Sequence, residues 1–323
     1  MVPSNHKCFL VAADGSERCL EAAKRFGQFF KDRRDCHWTI LHCVQQHLML
    51  YPGELWDADT SLRVAKTTQE KICHSITNRY REVFMELGFD EDSIDTVCRL
   101  DSWDPGQDIL KVAEERKIAS IAVGRRGLSP AENILIGSVS SRVVQYEQYR
   151  TVWIMDPDAP PTGHVLIAVE SHPECRALTY YANEWIGPTP GKRYTFLHIL
   201  PPVPPALWDD GHILDEQERA ARHSWKRHWE EEKRRQVDQF MDEAREVLGS
   251  QGIPDSAIEC RILPLQKGVA RDLLAHMESG NYEAVVMGKR SLREKKPFLV
   301  GSHANKVLQH ARKVHLCLVG RAC

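Results

Sequence analysis

Gly124, Gly127 and Gly137 are separated by two and by nine residues, and Ser138 follows the last of them at once. A residue without a Cβ lets the backbone turn tightly and come close to a bound group. After Gly137 the apolar residues Val139, Val143 and Tyr146 recur at helical spacing, which puts Gly137 and Ser138 at a helix N-terminus. Open N–H groups and the helix dipole favour an anion at such a position. The Ser138 hydroxyl can cap the helix or donate to a phosphate oxygen. Cradling a polyphosphate would use all four residues. A plain glycine turn followed by a serine cap would use them as well, and spacing alone leaves both open.

The same arrangement occurs again later in the chain. Gly288, Ser291, Gly301 and Ser302 repeat the spacing, with serine in place of the middle glycine. Lys289, Arg290, Arg293, Lys295 and Lys296 crowd this second loop. They suit an anion, or equally a solvated surface.

These residues need elements to position them, and the elements repeat as well. "CFLVAADGSERCLEAAKRF" is echoed by "VLIAVESHPECRALTYYANEW", and "WTILHCV" by "YTFLHIL". "TVCRLDSWDPGQDIL" is echoed by "IECRILPLQKGVARDLL", and "IAVGRRG" by "VVMGKRS". Asp14 and Glu170 correspond at an offset of 156, Gly124 and Gly288 at an offset of 164. An insertion of about eight residues, absorbed in the charged stretch 209–248, accounts for the difference. Short apolar runs without polar alternation predict parallel strands covered on both faces. Helices are expected over 17–31, 106–117 and 139–147, with a long one over 213–249 that ends at Gly249 and presents its charge run to solvent. "DPDAPPTG" (156–163) reads as a linker. The fold class is therefore α/β, with two tandem doubly wound five-stranded parallel sheets in Rossmann-like order 3-2-1-4-5, one over 1–157 and the other over 163–323. In that order strands 1 and 4 are neighbours at the switch point where such sheets bind ligands. Asp14 at the end of strand 1 and Gly124 at the end of strand 4 would then share one crevice.

Composition excludes several classes. A formal net charge of −2 over 323 residues gives no electrostatic reason to expect nucleic acid. No apolar stretch is long enough to cross a membrane, and the opening residues lack a signal-peptide layout, so a cytoplasmic protein is expected. The ten cysteines contain no CxxC pair, and several sit in apolar runs. They read as small core hydrophobes rather than as a disulfide or metal framework. His42 and His47 flank Cys43 without supporting a metal geometry. The Walker lysine is missing before Ser138, and no GxGxxG follows the first strand, which argues against the hydrolytic and dinucleotide relatives of this architecture.

The segment Gly124-x2-Gly127-x9-Gly137-Ser138, with "RGLS", "GSVSSRV", Asp14 and "LHCV" around it, resembles the G-2x-G-9x-G-[S/T] signature of the universal stress protein family, in its ATP-binding branch. The likeness runs over essentially the whole chain twice. It implies that Asp14 lies near the ribose, phosphates or a magnesium ion, and that Val44 offers backbone groups to the adenine. It further implies that Val123 and Gly124 border the ribose, that Gly127 meets the phosphates, and that Gly137, Ser138 and Val139 cradle their tail. Arg125 and Arg126 are expected to point to solvent.

In the second copy Glu170, Gly288, Ser291, Gly301 and Ser302 hold the matching positions, with Leu200 for Val44 and His303 for Val139. A positive φ at Ser291 would cost on the order of 1 kcal/mol, several-fold in affinity. The second copy is thus expected to bind weakly, differently or not at all. The resemblance implies an ATP-binding stress-response regulator whose halves form an intramolecular pseudo-dimer, with further homodimerisation left open. A slow magnesium-dependent ATPase, a nucleotide-free scaffold and a cysteine redox sensor remain the alternatives.

Overall fold

The computed structural model describes residues 7–45, 58–125, 136–169, 176–200, 215–289 and 300–320. The first half runs β1 (Lys7–Ala13), α1 (Glu17–Phe29), β2 (Cys36–Gln45), α2 (Ala58–Glu86), β3 (Ile94–Ser102), α3 (Pro105–Glu115), β4 (Ser120–Gly124), α4 (Ser138–Tyr146) and β5 (Thr151–Met155). The second runs β6 (His164–Val169), α5 (Arg176–Tyr181), β7 (Arg193–Leu200), α6 (Glu216–Ser250), β8 (Ile258–Pro264), α7 (Val269–Gly280), β9 (Ala284–Gly288), α8 (Ser302–His310) and β10 (His315–Val319). The expected helices form within a few residues of their anticipated ends. Helix α6 does not stop at Gly249: it runs on to Ser250, and Gly252, at φ +90°, makes the left-handed turn that ends it. Its N-terminal half is largely exposed, and its buried side chains begin at Val237.

Each half has the strand order 3-2-1-4-5, but the two sheets are not separate. They form one ten-stranded sheet in the order β3-β2-β1-β4-β5-β10-β9-β6-β7-β8. Pairing is parallel within each half. It is antiparallel between β5 and β10, where Trp153 faces Cys317. Both strands are buried at every position. Pairing them covers two apolar edges that would otherwise be open to another chain.

The seam is further held by side chains. Trp153 is fully buried among Phe26, Phe29, Phe30 and Tyr181, and its indole N–H donates to the Tyr181 hydroxyl at 2.8 Å. The Lys192 ammonium lies 3.3 Å from the centre of the Phe29 ring. The linker begins as part of this core, since Asp156 is only 2% exposed and its N–H donates to His315 Nδ1.

His315 is buried at the seam and neutral. Burial first, then the Lys192 charge, pushes its pKa down to about 3, with Arg125 and Arg25 adding to the effect and a backbone hydrogen bond with Arg25 opposing it. The unfolded chain takes up this proton near pH 6.5 and the folded chain does not. The stability associated with His315 is therefore complete above that pH and is lost as pH falls towards 3, by at most about 1.4 kcal/mol per pH unit. Urea midpoints measured from pH 7 to pH 5 should fall less steeply for His315→Gln than for the unsubstituted chain. Equal slopes would refute the assignment.

The cysteine expectation needs a correction. Cys73 on α2 and Cys98 on β3 form a disulfide. Their 25-residue separation carries no motif, and only tertiary packing brings them together. Cys98 pairs with His42 across β2–β3, and the Cys73 sulfur lies 3.7 Å from the His42 carbonyl. Other thiols fit the core reading. Burial pushes those of Cys19, Cys36 and Cys43 up to about 12, so none of these three is a reactive thiolate at neutral pH.

Candidate functional site

Strands β1 and β4 pair from Phe9↔Ser120 to Val11↔Ala122, so Asp14 and Gly124 leave the sheet at the same end. Asp14 is half-buried, and its Oδ1 accepts from the Ser16 N–H at 2.9 Å and the Ser16 hydroxyl at 2.8 Å. Ser16 in turn caps α1 by accepting from the Cys19 N–H. Gly15 between them has φ +83°, and a Cβ there would come within 2.8 Å of Ile76. This short turn fixes the carboxylate at the mouth of the crevice. A carboxylate offers about four lone-pair sites, so two accepted hydrogen bonds leave Asp14 capacity for a hydroxyl or a cation.

On the adjoining strand the β2–β3 register slips between Cys43 and Gln45, and Val44 sits half-buried at the slip. Val123 is buried in β4, and Gly124 ends that strand. The Gly137 N–H donates to the Arg125 carbonyl at 2.8 Å, which closes the root of the loop. Gly137 is itself the helix N-cap, at φ −64°, and Ser138 is the exposed first residue of α4. Ser138 therefore does not cap the helix, contrary to one of its two expected uses. The first helical bond is Ser141 N–H to Gly137 carbonyl, so the N–H groups of Ser138, Val139 and Ser140 have no partner within the helix. Val139 is half-buried against the core. Gly127 lies outside the described residues, as does Arg126.

Two contributors were missed. The Ser140 hydroxyl is buried and donates to the Gly124 carbonyl at 2.6 Å, tying α4 to the end of β4. Ala304 stands in its place in the second half. His42 Nδ1 donates to the Ala13 carbonyl at 2.6 Å, and His198 does the same to Val169 at 2.9 Å. A histidine at the same place in "TILHCV" and "TFLHIL" was the available signal.

Arg125 does not point to solvent. It is 5% exposed, donates through Nε to Asp156 at 3.0 Å, and reaches the Leu308 carbonyl at 3.0 Å. The chain turns back at this residue to complete the β4 ladder, since its N–H donates to the Met155 carbonyl, and its side chain is thereby directed across the seam. Lys289 is also buried, and bonds the Glu147 carbonyl of the first half. Both cations thus reach across the seam to the other half.

The second half has the same loop root, with Gly301 N–H donating to Lys289 carbonyl at 3.1 Å. Gly288 is half-buried and ends β9, Gly301 is buried, and Ser302 and His303 are exposed on the first turn of α8. Leu200 is buried at the end of β7. Glu170 and Ser291 lie outside the described residues, together with Arg290, Arg293, Lys295 and Lys296.

A doubly wound sheet in this strand order, with a fixed carboxylate and a glycine-rooted helix N-terminus at its switch point, defines a doubly wound α/β protein. The profile of the universal stress protein family matches residues 6–146 and again 161–317. The chain belongs to that family, as a tandem member. It is similar in fold to a universal stress protein from Archaeoglobus fulgidus, with TM-score 0.62 and 19% identity over 98% of both chains. It is also similar to a functionally unknown protein from Pseudomonas aeruginosa PAO1, with TM-score 0.56 and 13% identity over 98% of this chain and 93% of that one. No curated protein matches it in sequence. Among the described residues no helix is long and apolar enough to cross a membrane.

Proposed function

We propose that the first half, residues 1–157, binds ATP at the crevice between β1 and β4, and that the chain acts as a nucleotide-responsive regulator in a stress response. The observation that supports this best is the convergence at one sheet end of Asp14 and of the α4 N-terminus, whose first N–H groups have no partner within the helix. The donor set suits the ligand. Oriented N–H groups and an exposed hydroxyl serve phosphate oxygens, and an anchored carboxylate serves a magnesium ion or a ribose hydroxyl. In this reading Val44 meets the adenine edge, Val123 and Gly124 border the ribose, and Gly127, Gly137, Ser138 and Val139 follow the phosphates. Bound magnesium would supply charge neutralisation along the phosphates. The second half, 163–323, with Glu170, Gly288, Ser291, Gly301 and Ser302 at the matching places, binds more weakly or not at all. The proposed setting is the cytoplasm.

Calorimetric titration of nucleotide-free protein with ATP and magnesium should give one site per chain. Asp14→Ala should weaken that site at least ten-fold, about 1.4 kcal/mol. Two equivalent sites would show that the second copy tolerates its substitutions. No binding at any magnesium concentration would leave the nucleotide-free scaffold as the better account. Phosphate release measured in parallel reads any turnover.

A further inference from the structure

Each glycine loop leaves its strand through a basic residue, Arg125 after β4 and Lys289 after β9. Each residue does two things. Its carbonyl accepts the N–H of the glycine that starts the next helix, Gly137 or Gly301. Its side chain crosses the seam and bonds a carbonyl at the far end of the other half's corresponding helix. Arg125 bonds the Leu308 carbonyl in the last turns of α8, and Lys289 bonds the carbonyl of Glu147, the C-cap of α4. A cation is favourable there, where the last carbonyls lack helical partners and the dipole is negative.

The links are thus crossed. The root of loop 2 holds the C-terminal end of the helix whose N-terminus belongs to loop 1, and the reverse holds for loop 1 and α8. Helix α4 has nine residues, about 13 Å end to end, which is short enough to move as one rod. Displacing its C-terminal end therefore displaces Ser138 and the N–H groups beside it. The surroundings resist independent movement. Glu147 is buried, and burial pushes its carboxyl up, but the N–H groups of Arg150 and Tyr149 and the Arg150 charge hold it below the usual carboxylate range. That network seats the C-cap firmly on the strand that leads into the seam.

The two directions differ in the residues around them. Arg125 is also paired with Asp156, which bonds His315 through its N–H. In the repeat, Gly320 stands where Asp156 does and Thr151 where His315 does. Position 320 thus offers no carboxylate to match that of Asp156.

We propose that Lys289 and Arg125 are crossed positioning residues that couple the two loops, so that the second half, whatever it binds itself, sets the affinity of the first half's site. The proposal rests on the reading of loop 1 as a nucleotide site. Lys289→Met is the decisive variant, because it removes the cation and keeps most of the stem, while Glu147 keeps its pairing with Arg150. ATP titration should show about five- to ten-fold weaker binding in Lys289→Met, with near-normal binding in Lys289→Arg. Amide hydrogen exchange without nucleotide should speed up at Ser138–Ser140 in Lys289→Met, at the opposite end of α4 from the lost contact, while β7 and β8 keep their protection. Unchanged affinity together with unchanged exchange at Ser138–Ser140 would overturn the coupling, as would faster exchange spread evenly over the chain. If the unsubstituted protein binds no ATP, the nucleotide reading fails by itself. The exchange pattern then decides the coupling alone, supporting it if Ser138–Ser140 respond and overturning it if they do not.

Discussion

Trp153→Ala is expected to lower the unfolding free energy by about 3–5 kcal/mol, the range for removing a large aromatic from a packed core. The side chain is fully buried on β5, beside the antiparallel seam, with Phe26, Phe29 and Phe30 of α1 and its C-cap against it. Its loss also removes a donor to the Tyr181 hydroxyl, which belongs to the second half. A net hydrogen bond contributes about 1 kcal/mol, so Trp153→Phe, which keeps most of the packing, should lose only about 1–2 kcal/mol. Because Trp153 touches both halves, the larger loss should appear as one transition, with the two halves unfolding together. Chemical unfolding followed by far-ultraviolet circular dichroism checks both points. A loss below about 1 kcal/mol in Trp153→Ala, or an unchanged second transition, would show that the seam does not join the halves energetically.

Reduction of the Cys73–Cys98 disulfide is the second large effect. It closes a loop of 25 residues, and the chain-entropy relation gives about 3.5 kcal/mol for a loop of that length. The bond ties α2 to β3 beside the His42 carbonyl, and His42 holds the Ala13 carbonyl immediately before Asp14. Unfolding midpoints with and without a phosphine reductant should therefore differ, and a Cys73→Ala, Cys98→Ala double variant should match the reduced protein under both conditions. Thiol titration of denatured protein should find two more thiols after reduction than before. Equal thiol counts would show that the two cysteines are not joined. Equal midpoints would show that the cross-link adds no stability.

Much of the architecture is legible along the chain, for a physical reason. Parallel strands buried on both faces must be continuous apolar runs, so "CFLVAA", "TILHCV" and "SIAVG" announce themselves. The second copy of each removes most of the remaining ambiguity. Glycines at fixed spacing before a helical pattern mark the loop root in the same way, because close approach of backbone to backbone or ligand is a local requirement. Asp14, Gly124, Gly137 and Ser138 could accordingly be nominated from local pattern and topology together.

What local pattern does not contain is the direction of a long side chain or the identity of a distant neighbour. Arg125 reads as a loop arginine bound for solvent, and only the fused sheet shows that the end of α8 and Asp156 lie within its reach. Cys73 and Cys98 carry no spacing signal, since their meeting depends on how a long helix lies across β2 and β3. The pairing of β5 with β10 was equally open: "TVWIM" and "VHLCLV" suit an internal strand as well as a seam, because both need burial and differ only in what provides it. The sequence by itself determined the elements, their order in each half and the loop roots, all of which follow from short-range periodicity and backbone preference. The tertiary structure alone decided that the two sheets are one, that the loop cations cross between the halves, and that Asp156 of the first half bonds His315 of the second across the seam. Those facts depend on contacts between residues more than a hundred positions apart, which no local periodicity encodes.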